Sequence, residues 1–381
     1  MESKKTTLKA YNRIVIKIGT NILGGMAGKI DTRFIDQMAA QVAELRKENK
    51  EILIVSSGAI GMGMNELGWK ERPKTLPERQ ALASIGQSRL MHIYDEIFST
   101  YGLRVAQVLL TESDLRDRRH YLNARNTLLK LLELGVIPII NENDTVAVDE
   151  LKIGDNDTLS ARVASKVGAD LLILLTDVEG LFDKNPHKNK EARIIPVVDK
   201  LTDELQTAAE GAFNHYGTGG MATKLLAARM AMGSGVPMYI AQGTQENILL
   251  KITRGDSIGT RFEPNKTAKL SSRERWIAFG TGLVKNLVYI DDGAQRALVE
   301  KGKSLLPSGI KKVEGSFKPG DVVRVMDLKG QIIARGLVNY SSEDLDKIKG
   351  LKSSQIPGVL GHKEYEEAIH RDNLVLLAEK N

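Results

Sequence analysis

The sequence predicts an α/β protein with an open, mainly parallel sheet sandwiched between helices, followed by a small β-rich domain. Short apolar runs of strand length alternate with longer stretches of helical period, which is the order of β-α-β units. Several helical stretches end near a glycine, where helices commonly stop. The alternation ends after Phe262, where a polar segment begins. These three observations indicate two different domains on one chain.

The predicted strands are runs that are apolar at almost every position. Continuous apolar runs are typical of parallel strands covered on both faces. The five clearest runs are residues 14–16, 52–55, 105–110, 136–140 and 171–175. We therefore expect them to lie in one buried sheet.

Stretches long enough for helices separate these runs. They are residues 34–49, 78–101, 121–134 and 158–167, and Gly102, Gly135 and Gly168 follow the second, third and fourth of them. Right-handed crossovers would gather the loops after the strands along one edge of the sheet. Ligands of open α/β sheets usually bind at that edge.

The chain divides into a first domain of residues 10–262, a polar linker of residues 263–275 and a β-rich domain of residues 276–381. The linker is rich in charged and small polar residues. In the last part, residues 320–327 and 331–338 flank the turn Leu328-Lys329-Gly330 and are typical of a β-hairpin.

Composition limits the classes of function. The 381 residues are 42% hydrophobic, without an apolar run near the ~18 residues of a membrane span or a signal-peptide core. We expect a soluble cytoplasmic protein. The absence of cysteine excludes thiolate metal sites, and the six histidines lack ligand spacing. A net charge of +6, from 54 basic and 48 acidic residues, mildly favours anionic partners.

Two predicted strand ends carry residues suited to anions. Lys17 ends the first apolar run, and Gly19 beside it would allow a backbone amide to approach a phosphate closely. Ser57, Gly58 and Ala59 follow the second run and open a helix, whose amides could face a carboxylate or a phosphate. A snorkelling lysine and an ordinary Ser/Gly turn are the structural alternatives.

Acidic and amide side chains are dense after the fourth run. These residues are Asn141, Glu142, Asn143, Asp144, Asp155, Asn156 and Asp157. Such a cluster could bind an ammonium group, hold Mg²⁺ through one or two carboxylates, or orient lysines. Helix capping and turn formation account for one or two of these residues, but not for all of them.

A glycine-rich segment at residues 217–224 suits a phosphate, because glycines followed by a lysine can wrap and neutralise one. The segment is Gly217, Thr218, Gly219, Gly220, Met221, Ala222, Thr223 and Lys224. It is not a P-loop, since Thr223 precedes Lys224 and Leu225 follows it. Thr176 and Asp177 follow the fifth run, where the base or ribose of a nucleotide could lie.

Taken in order, these segments resemble the amino acid kinase family, and within it the members that phosphorylate glutamate. The resemblance covers about residues 10–262 and implies the amino acid kinase fold. The motifs that carry it include Lys17-Ile18-Gly19-Thr20, Asn141-Glu142-Asn143-Asp144, Gly154-Asp155-Asn156-Asp157, Thr176-Asp177-Val178-Glu179-Gly180-Leu181 and Gly217-Thr218-Gly219-Gly220-Met221-Ala222-Thr223-Lys224. The Asn-Glu-Asn-Asp and Gly-Asp-Asn-Asp pair points to glutamate. Residues 276–372 resemble a PUA domain.

The resemblance implies transfer of a phosphoryl group from ATP, with Mg²⁺, to the γ-carboxylate of L-glutamate, which is the first step of proline biosynthesis. It implies that Lys17 meets the transferring phosphoryl group and that Lys224 meets the nucleotide phosphates. Asp157, with Asp155, would hold the lysines or join the magnesium shell.

The resemblance also implies the binding residues. Ser57, Gly58 and Ala59 would lie near the substrate α-carboxylate, and Asp144, Asn156 and Asn143 would take the amino group and neighbouring polar atoms. The implied nucleotide residues are Lys17, Gly19, Thr176, Asp177, Thr218, Gly219, Gly220, Met221, Ala222, Thr223 and Lys224.

Regulation and partners follow from the same resemblance. It implies inhibition by proline, exerted near Glu112-Ser113-Asp114. A homo-oligomer, either a dimer or a tetramer, is expected, and glutamyl phosphate reductase is a candidate partner.

Two alternatives stay open. Another amino acid kinase would act on acetylglutamate, aspartate or uridylate, but acetylglutamate has no free amine for the acidic cluster to bind. An RNA-binding or RNA-modifying protein is the second, because PUA modules often bind RNA. Lysines in the tail are matched by acidic residues and few aromatics are available for base stacking, so nucleic acid is disfavoured.

Overall fold

The structure is a computed structural model, and it describes residues 11–24, 30–147, 156–184, 186, 189, 191–201, 220–264, 277, 285–361 and 365–377. The chain forms two compact units, residues 1–269 and 270–381. The domain bounds 10–262, 263–275 and 276–381 stay a prediction, because residues 265–275 of the expected linker lie outside the described residues.

Within the described residues, eight strands of the first unit form one sheet in the order β3-β4-β2-β1-β5-β7-β8-β6. The strands are β1 (Arg13–Ile18), β2 (Glu51–Val55), β3 (Val105–Leu110), β4 (Ile137–Glu142), β5 (Leu171–Thr176), β6 (Val197–Val198), β7 (Met238–Gln242) and β8 (Thr260–Phe262). Neighbouring strands are parallel except β7 and β8, which are antiparallel. The predicted open, mainly parallel sheet is confirmed.

Helices cover both faces of this sheet. They are α1 (Thr32–Lys47), α2 (Ala59–Glu66), α3 (Leu76–Thr100), α4 (Glu112–Arg116), α5 (Arg118–Glu133), α6 (Asn156–Val167), α7 (Met221–Gly233) and α8 (Ile248–Arg254). Val15 and Leu53 point into the core beneath α5, α6 and α7, whereas Ile14 and Ile16 point into the core beneath α1, α3 and α8. No helix among the described residues is long and apolar enough to cross a membrane.

The expected burial of both strand faces is wrong for one of the five predicted strands. In β3, Gln107 is exposed, and Val105, Ala106, Val108 and Leu109 are only partly buried. The reason is that β3 is the edge strand and pairs with β4 alone. An edge strand receives less cover than the strands in the middle of a sheet.

Helices α2 and α3 cross with their backbones in contact, because each contributes a glycine at the crossing. A Cβ atom on Gly86 would lie 1.7 Å from the carbonyl oxygen of Ala59, and one on Gly63 would lie 2.0 Å from that of Leu82. Non-bonded heavy atoms do not approach so closely, so both positions require glycine. The crossing fixes α3 against the first turn of α2.

The second unit has its own five-stranded sheet in the described residues, in the order β10-β9-β11-β12-β13. Its strands are β9 (Leu287–Ile290), β10 (Ile310–Glu314), β11 (Val322–Met326), β12 (Ile332–Leu337) and β13 (Leu374–Leu376). Its helices are α9 (Asp292–Val299), α10 (Ser342–Ile348) and α11 (Ile356–Leu360). The predicted hairpin is confirmed as β11 and β12, and the Asp327 carboxylate accepts hydrogen bonds from the amides of Lys329 and Gln331 in its turn.

We expect Gly86→Ala to destabilise the first unit, because the added methyl group fits only if one helix backbone moves away. Overpacking of a close-packed interior typically costs about 1–3 kcal/mol, and a clash with backbone belongs at the upper end or above it. Urea denaturation would measure the free energy of unfolding. Gly358→Ala is the control, since this glycine also lies in a helix and its Cβ would meet nothing within 4 Å. An equally small change in the free energy of unfolding at both positions would contradict the close contact at Gly86.

Candidate active site

Four predicted strand ends meet at one edge of the sheet. Strands β4, β2, β1 and β5 are consecutive neighbours and all parallel, so their carboxyl ends lie side by side. Backbone hydrogen bonds join the residue that follows one strand to the end of the next, from the Gly19 amide to the Leu175 carbonyl of β5 at 3.1 Å and from the Ser56 amide to the Ile140 carbonyl of β4 at 2.9 Å. The predicted convergence of these loops is confirmed.

A buried carboxylate lies between two buried ammonium groups at this edge. Asp157 Oδ1 is 2.5 Å from Lys17 Nζ, and Asp157 Oδ2 is 3.2 Å from Lys224 Nζ. The Thr223 hydroxyl lies 3.0 Å from Asp157 Oδ2 and 2.7 Å from the Gly220 carbonyl oxygen, and its one proton faces both acceptors. Asp157 is 0% exposed, Lys17 3% and Lys224 6%, so the three charged groups are screened very little by water. Residues 67 to 207 positions apart in the chain therefore form one ionic cluster.

These three side chains meet because of the strand face that carries Lys17 and the helix starts that carry Asp157 and Lys224. In β1, Lys17 and Val15 are two residues apart and so point to the same face of the sheet, which α6 and α7 cover. Asp157 lies in the first turn of α6, and Lys224 lies in the first turn of α7. Gly19 keeps the approach open, since a Cβ atom there would lie 3.3 Å from the Leu175 carbonyl oxygen and 3.8 Å from Lys17 Nζ.

The glycine-rich segment differs from the expected loop. Met221, Ala222, Thr223 and Lys224 form the first turn of α7, and Gly220 is its N-cap. Helix propagation continues back to Met221 because Ala, Met and Lys are good helix formers, unlike glycine. Residues 202–219, which include Thr218 and Gly219, lie outside the described residues.

Two helices begin at this edge without a side-chain cap. The N-caps of α2 and α7 are Gly58 and Gly220, and neither helix has a capping hydrogen bond from a side chain. Asp31 and Thr75, by contrast, cap α1 and α3 with side-chain oxygens. An anion that approached the first amides of α2 or α7 would therefore have no side-chain cap to displace. The N-terminus of a helix favours negative charge, so both helix starts are suited to an anion.

The amide side chain of Asn156 connects two of the loops. Its Nδ2 lies 2.9 Å from the Ser56 carbonyl oxygen, 2.7 Å from Ser57 Oγ and 3.0 Å from Asn141 Oδ1. Asn141 Nδ2 in turn donates to Gln87 Oε1 at 2.8 Å. Since Asn156 precedes Asp157 in α6, this amide group adjoins the ionic cluster.

Other predicted site residues lie near by. Asn143 and Asp144 are partly buried in the turn that follows β4, where the Asn143 amide donates to the Leu110 carbonyl at 2.9 Å. Asp155 lies outside the described residues. The structure thus brings Ser57 and Asn156 into direct contact. It places Asn143 and Asp144 directly after β4, the strand that carries Asn141.

Thr176 ends β5 and Asp177 follows it, next to the loop after β1. Asp177 accepts hydrogen bonds from Thr176 Oγ1 at 2.9 Å and from Asn21 Nδ2 at 2.8 Å. Desolvation alone would raise the pKa of Asp177, but these hydrogen bonds and the charge of Lys224 hold it below its usual value. Asp177 is therefore a carboxylate at neutral pH, able to accept hydrogen bonds.

Charged side chains anchor the rest of α6. Arg162 forms a buried ion pair with Glu112, and Lys166 Nζ donates to the Leu115 carbonyl at 3.1 Å and lies 3.7 Å from the centre of the Tyr121 ring. Burial, together with the neighbouring Arg162 cation, lowers the pKa of Lys166 well below its usual value. Sequence reasoning missed these contacts, although two cations four residues apart in a buried helix were a usable signal.

Sequence reasoning also missed Gln87, which is 8% exposed on α3. A glutamine on the buried face of a helix is the signal that could have found it.

The described residues contain no group of three or more His, Cys, Asp or Glu side chains that could hold a metal ion. The assignment of Asp157 to Mg²⁺ stays a prediction, and its two ion pairs favour a role in holding the lysines.

The chain is similar to known proteins along most of its length. The model of the amino acid kinase family matches residues 12–242, and that of the PUA domain matches residues 286–360. A glutamate 5-kinase of Caldanaerobacter subterraneus subsp. tengcongensis is 53% identical, over 96% of this chain and 98% of the relative. One of Citrifermentans bemidjiense is 50% identical, over 98% and 100%. Among solved structures, a UMP kinase of Bacillus anthracis has a TM-score of 0.48 at 15% identity, over 68% of this chain and 98% of that one.

The chain therefore belongs to the amino acid kinase family and, within it, to the glutamate 5-kinases. It is a phosphotransferase that carries a PUA domain in its second unit.

Proposed function

We propose that this chain transfers the γ-phosphoryl group of ATP to the side-chain carboxylate of L-glutamate, giving glutamyl 5-phosphate for proline biosynthesis. The observation that carries the proposal is the buried cluster of Lys17, Asp157 and Lys224, beside an amide group suited to an amino acid. Family membership supports the choice of substrate.

The reaction needs alignment and charge more than proton transfer. A glutamate carboxylate has a pKa of ~4.3, so it is already ionised at neutral pH and can attack phosphorus without a general base. Negative charge spreads over the transferring phosphoryl oxygens in the transition state, where fixed cations and amides stabilise it. The formal charges of Lys17, Asp157 and Lys224 sum to one positive charge, which is suited to this task.

Each lysine has a separate position in the proposal. Lys17 comes from the end of β1 and meets the transferring phosphoryl group, while Lys224 meets the nucleotide phosphates together with the first amides of α7. Asp157 holds both ammonium groups in fixed positions. Thr223, through its hydroxyl, fixes the Asp157 carboxylate in turn.

A bound Mg²⁺ would neutralise the phosphate oxygens of ATP. In nucleotide sites this ion usually binds through substrate phosphates plus one or two carboxylates. Asp157 and Asp155 are the two carboxylates that the sequence offers for that purpose. Thr176, with Asp177, takes the remainder of the nucleotide, where an ionised Asp177 can accept hydrogen bonds from ribose hydroxyl groups.

Glutamate would bind at the other side of the phosphoryl group. Its α-carboxylate faces the uncapped start of α2, at Ser57, Gly58 and Ala59. Asn156 Oδ1 is buried and has no hydrogen-bond partner among the described residues, so it is an acceptor for the α-amino group. Asp144 completes the ammonium site with its charge, and Asn143 contributes neighbouring polar atoms.

The substrate is tested by comparing ATP consumption with glutamate, N-acetylglutamate and aspartate. We expect turnover with glutamate, and a kcat/KM at least about 100-fold lower with the others, because an acylated or mispositioned amine leaves buried polar groups unpaired. Hydroxylamine would trap the acyl phosphate product as a hydroxamate. Equal or faster turnover of N-acetylglutamate or aspartate would overturn the assignment.

The roles of the two lysines are tested by Lys17→Met and Lys224→Met. We expect each to lower kcat by about 100-fold or more, because each removes a cation that acts in the transition state. Lys166→Met is the matched control. Lys166 is also 6% exposed, but it is bound to Leu115 and Tyr121, about 14 Å along α6 from Asp157.

Steady-state kinetics would show whether the control keeps its turnover within about threefold of the unmodified enzyme. If Lys17→Met and Lys224→Met lost no more activity than Lys166→Met, the loss would reflect the removal of any buried lysine, and the proposed roles would be wrong.

We further propose inhibition by proline, on family resemblance alone. We expect added L-proline to raise the apparent KM for glutamate with little change in the KM for ATP, because it would compete near the amino-acid site. Initial rates over a matrix of proline and glutamate concentrations measure this, with D-proline as the control. Rates unaffected by L-proline would contradict this regulation.

Two further proposals rest on the same family resemblance. They are that the chain forms a homo-oligomer and that glutamyl phosphate reductase is its partner.

A further inference from the structure

Three side-chain amides form a hydrogen-bonded chain beside the proposed glutamate site. Gln87 Oε1 accepts from Asn141 Nδ2 at 2.8 Å, and Asn141 Oδ1 lies 3.0 Å from Asn156 Nδ2. The three residues come from α3, β4 and α6. We call Gln87, Asn141 and Asn156 the amide chain.

Backbone groups fix the direction of the amide chain. The Glu142 amide can only donate, and it does so to Asn141 Oδ1 at 2.9 Å. The Ser56 carbonyl can only accept, and it does so from Asn156 Nδ2 at 2.9 Å. Neither asparagine can therefore rotate its amide by 180° without losing a backbone hydrogen bond and placing two like groups together.

This direction determines which atoms stand at the two ends of the amide chain. One end is Asn156 Oδ1, which is a hydrogen-bond acceptor, and the other end is Gln87 Nε2, which is a donor. Neither atom has a hydrogen-bond partner among the described residues. Leaving a buried polar atom without a partner is unfavourable. Gln87 at this buried position is therefore not explained by a gain in stability.

A second buried glutamine shows the ordinary arrangement. Gln41 is also 8% exposed, but both ends of its amide are bound: Nε2 donates to the Gln37 carbonyl at 3.1 Å, and Oε1 accepts from the Leu249 amide at 2.9 Å. Gln87 differs from Gln41 in that only one end of its amide, Oε1, has a partner among the described residues, and that partner is Asn141.

We propose that Gln87 is a positioning residue for the substrate amino group. By accepting from Asn141 Nδ2, it acts together with the Glu142 amide to hold the Asn141 side chain in place, so that Asn141 Oδ1 holds Asn156 Nδ2 inward and Asn156 Oδ1 faces the ammonium of the substrate. The glycine crossing of α2 and α3 holds Gln87 in place, since Gly86 next to it touches Ala59. The inference rests on the proposed function, which supplies an amino acid as the ligand.

Two substitutions at Gln87 and one control test this role. Gln87→Met keeps the length of the side chain but removes the acceptor, so Asn141 Nδ2 loses its partner. Gln87→Glu keeps an oxygen that can accept from Asn141. Gln41→Met removes the other buried glutamine, away from the amide chain. The measurements are the KM values for glutamate and ATP, kcat, the midpoint of thermal unfolding, and the inhibition constant of glutarate, which has both carboxylates but no amino group.

We expect Gln87→Met to raise the KM for glutamate about 10-fold, since a hydrogen bond to a charged group is weakened, and to leave the KM for ATP within about twofold. The inhibition constant of glutarate should also stay within about twofold, because glutarate has no ammonium group to lose the contact. Gln87→Glu should keep the KM for glutamate within about threefold. Gln41→Met should lower the unfolding midpoint without changing either KM.

Three results would overturn the inference. The KM for glutamate could stay unchanged in Gln87→Met, glutarate could weaken as much as glutamate, or Gln87→Glu could behave like Gln87→Met. The second result would indicate general damage to the pocket, which thermal unfolding would also report. An unmodified enzyme that fails to phosphorylate glutamate would overturn the proposed function itself, and this is seen before any variant is compared.

Discussion

The buried carboxylate of Asp157 is the constraint on which the rest of the first unit depends. Two ammonium groups can be held at 3% and 6% exposure only if a negative charge lies between them. A buried ion pair of this kind is weak evidence for stability, because desolvation offsets most of the attraction. Its effect is instead to keep an excess positive charge in a fixed position before any phosphate arrives.

Helix α6 joins the two halves of the site. Its residues from Asp157 to Val167 are all buried, and Asn156 and Asp157 are adjacent at its start. One of them contacts the amide chain and the other contacts the lysines, so a small shift of α6 would disturb both together. The buried ion pair of Arg162 with Glu112 resists such a shift along the rest of the helix.

The sequence predicts those parts of the fold that local pattern determines. Apolar runs predict β1 to β5, and the residues just after four of these strands lie at one edge, because parallel strands bring their carboxyl ends together. The lower burial of β3 depends on its position in the strand order, which the run itself does not contain. Gln87 contacts Asn141 from α3, which packs closely on α2 at Gly63 and Gly86, and no local pattern indicates either tertiary contact.

The site uses two physical devices that act over different distances. Charge acts at long range and with little directional preference, so two lysines and helix amides suit the phosphoryl groups that every kinase of this family handles. Oriented amides act only at contact and distinguish a donor from an acceptor. If charge sets the reaction and amide direction sets the substrate, as we propose, α6 must be rigid, because Asn156 and Asp157 would then place the amino group and the phosphoryl group relative to each other.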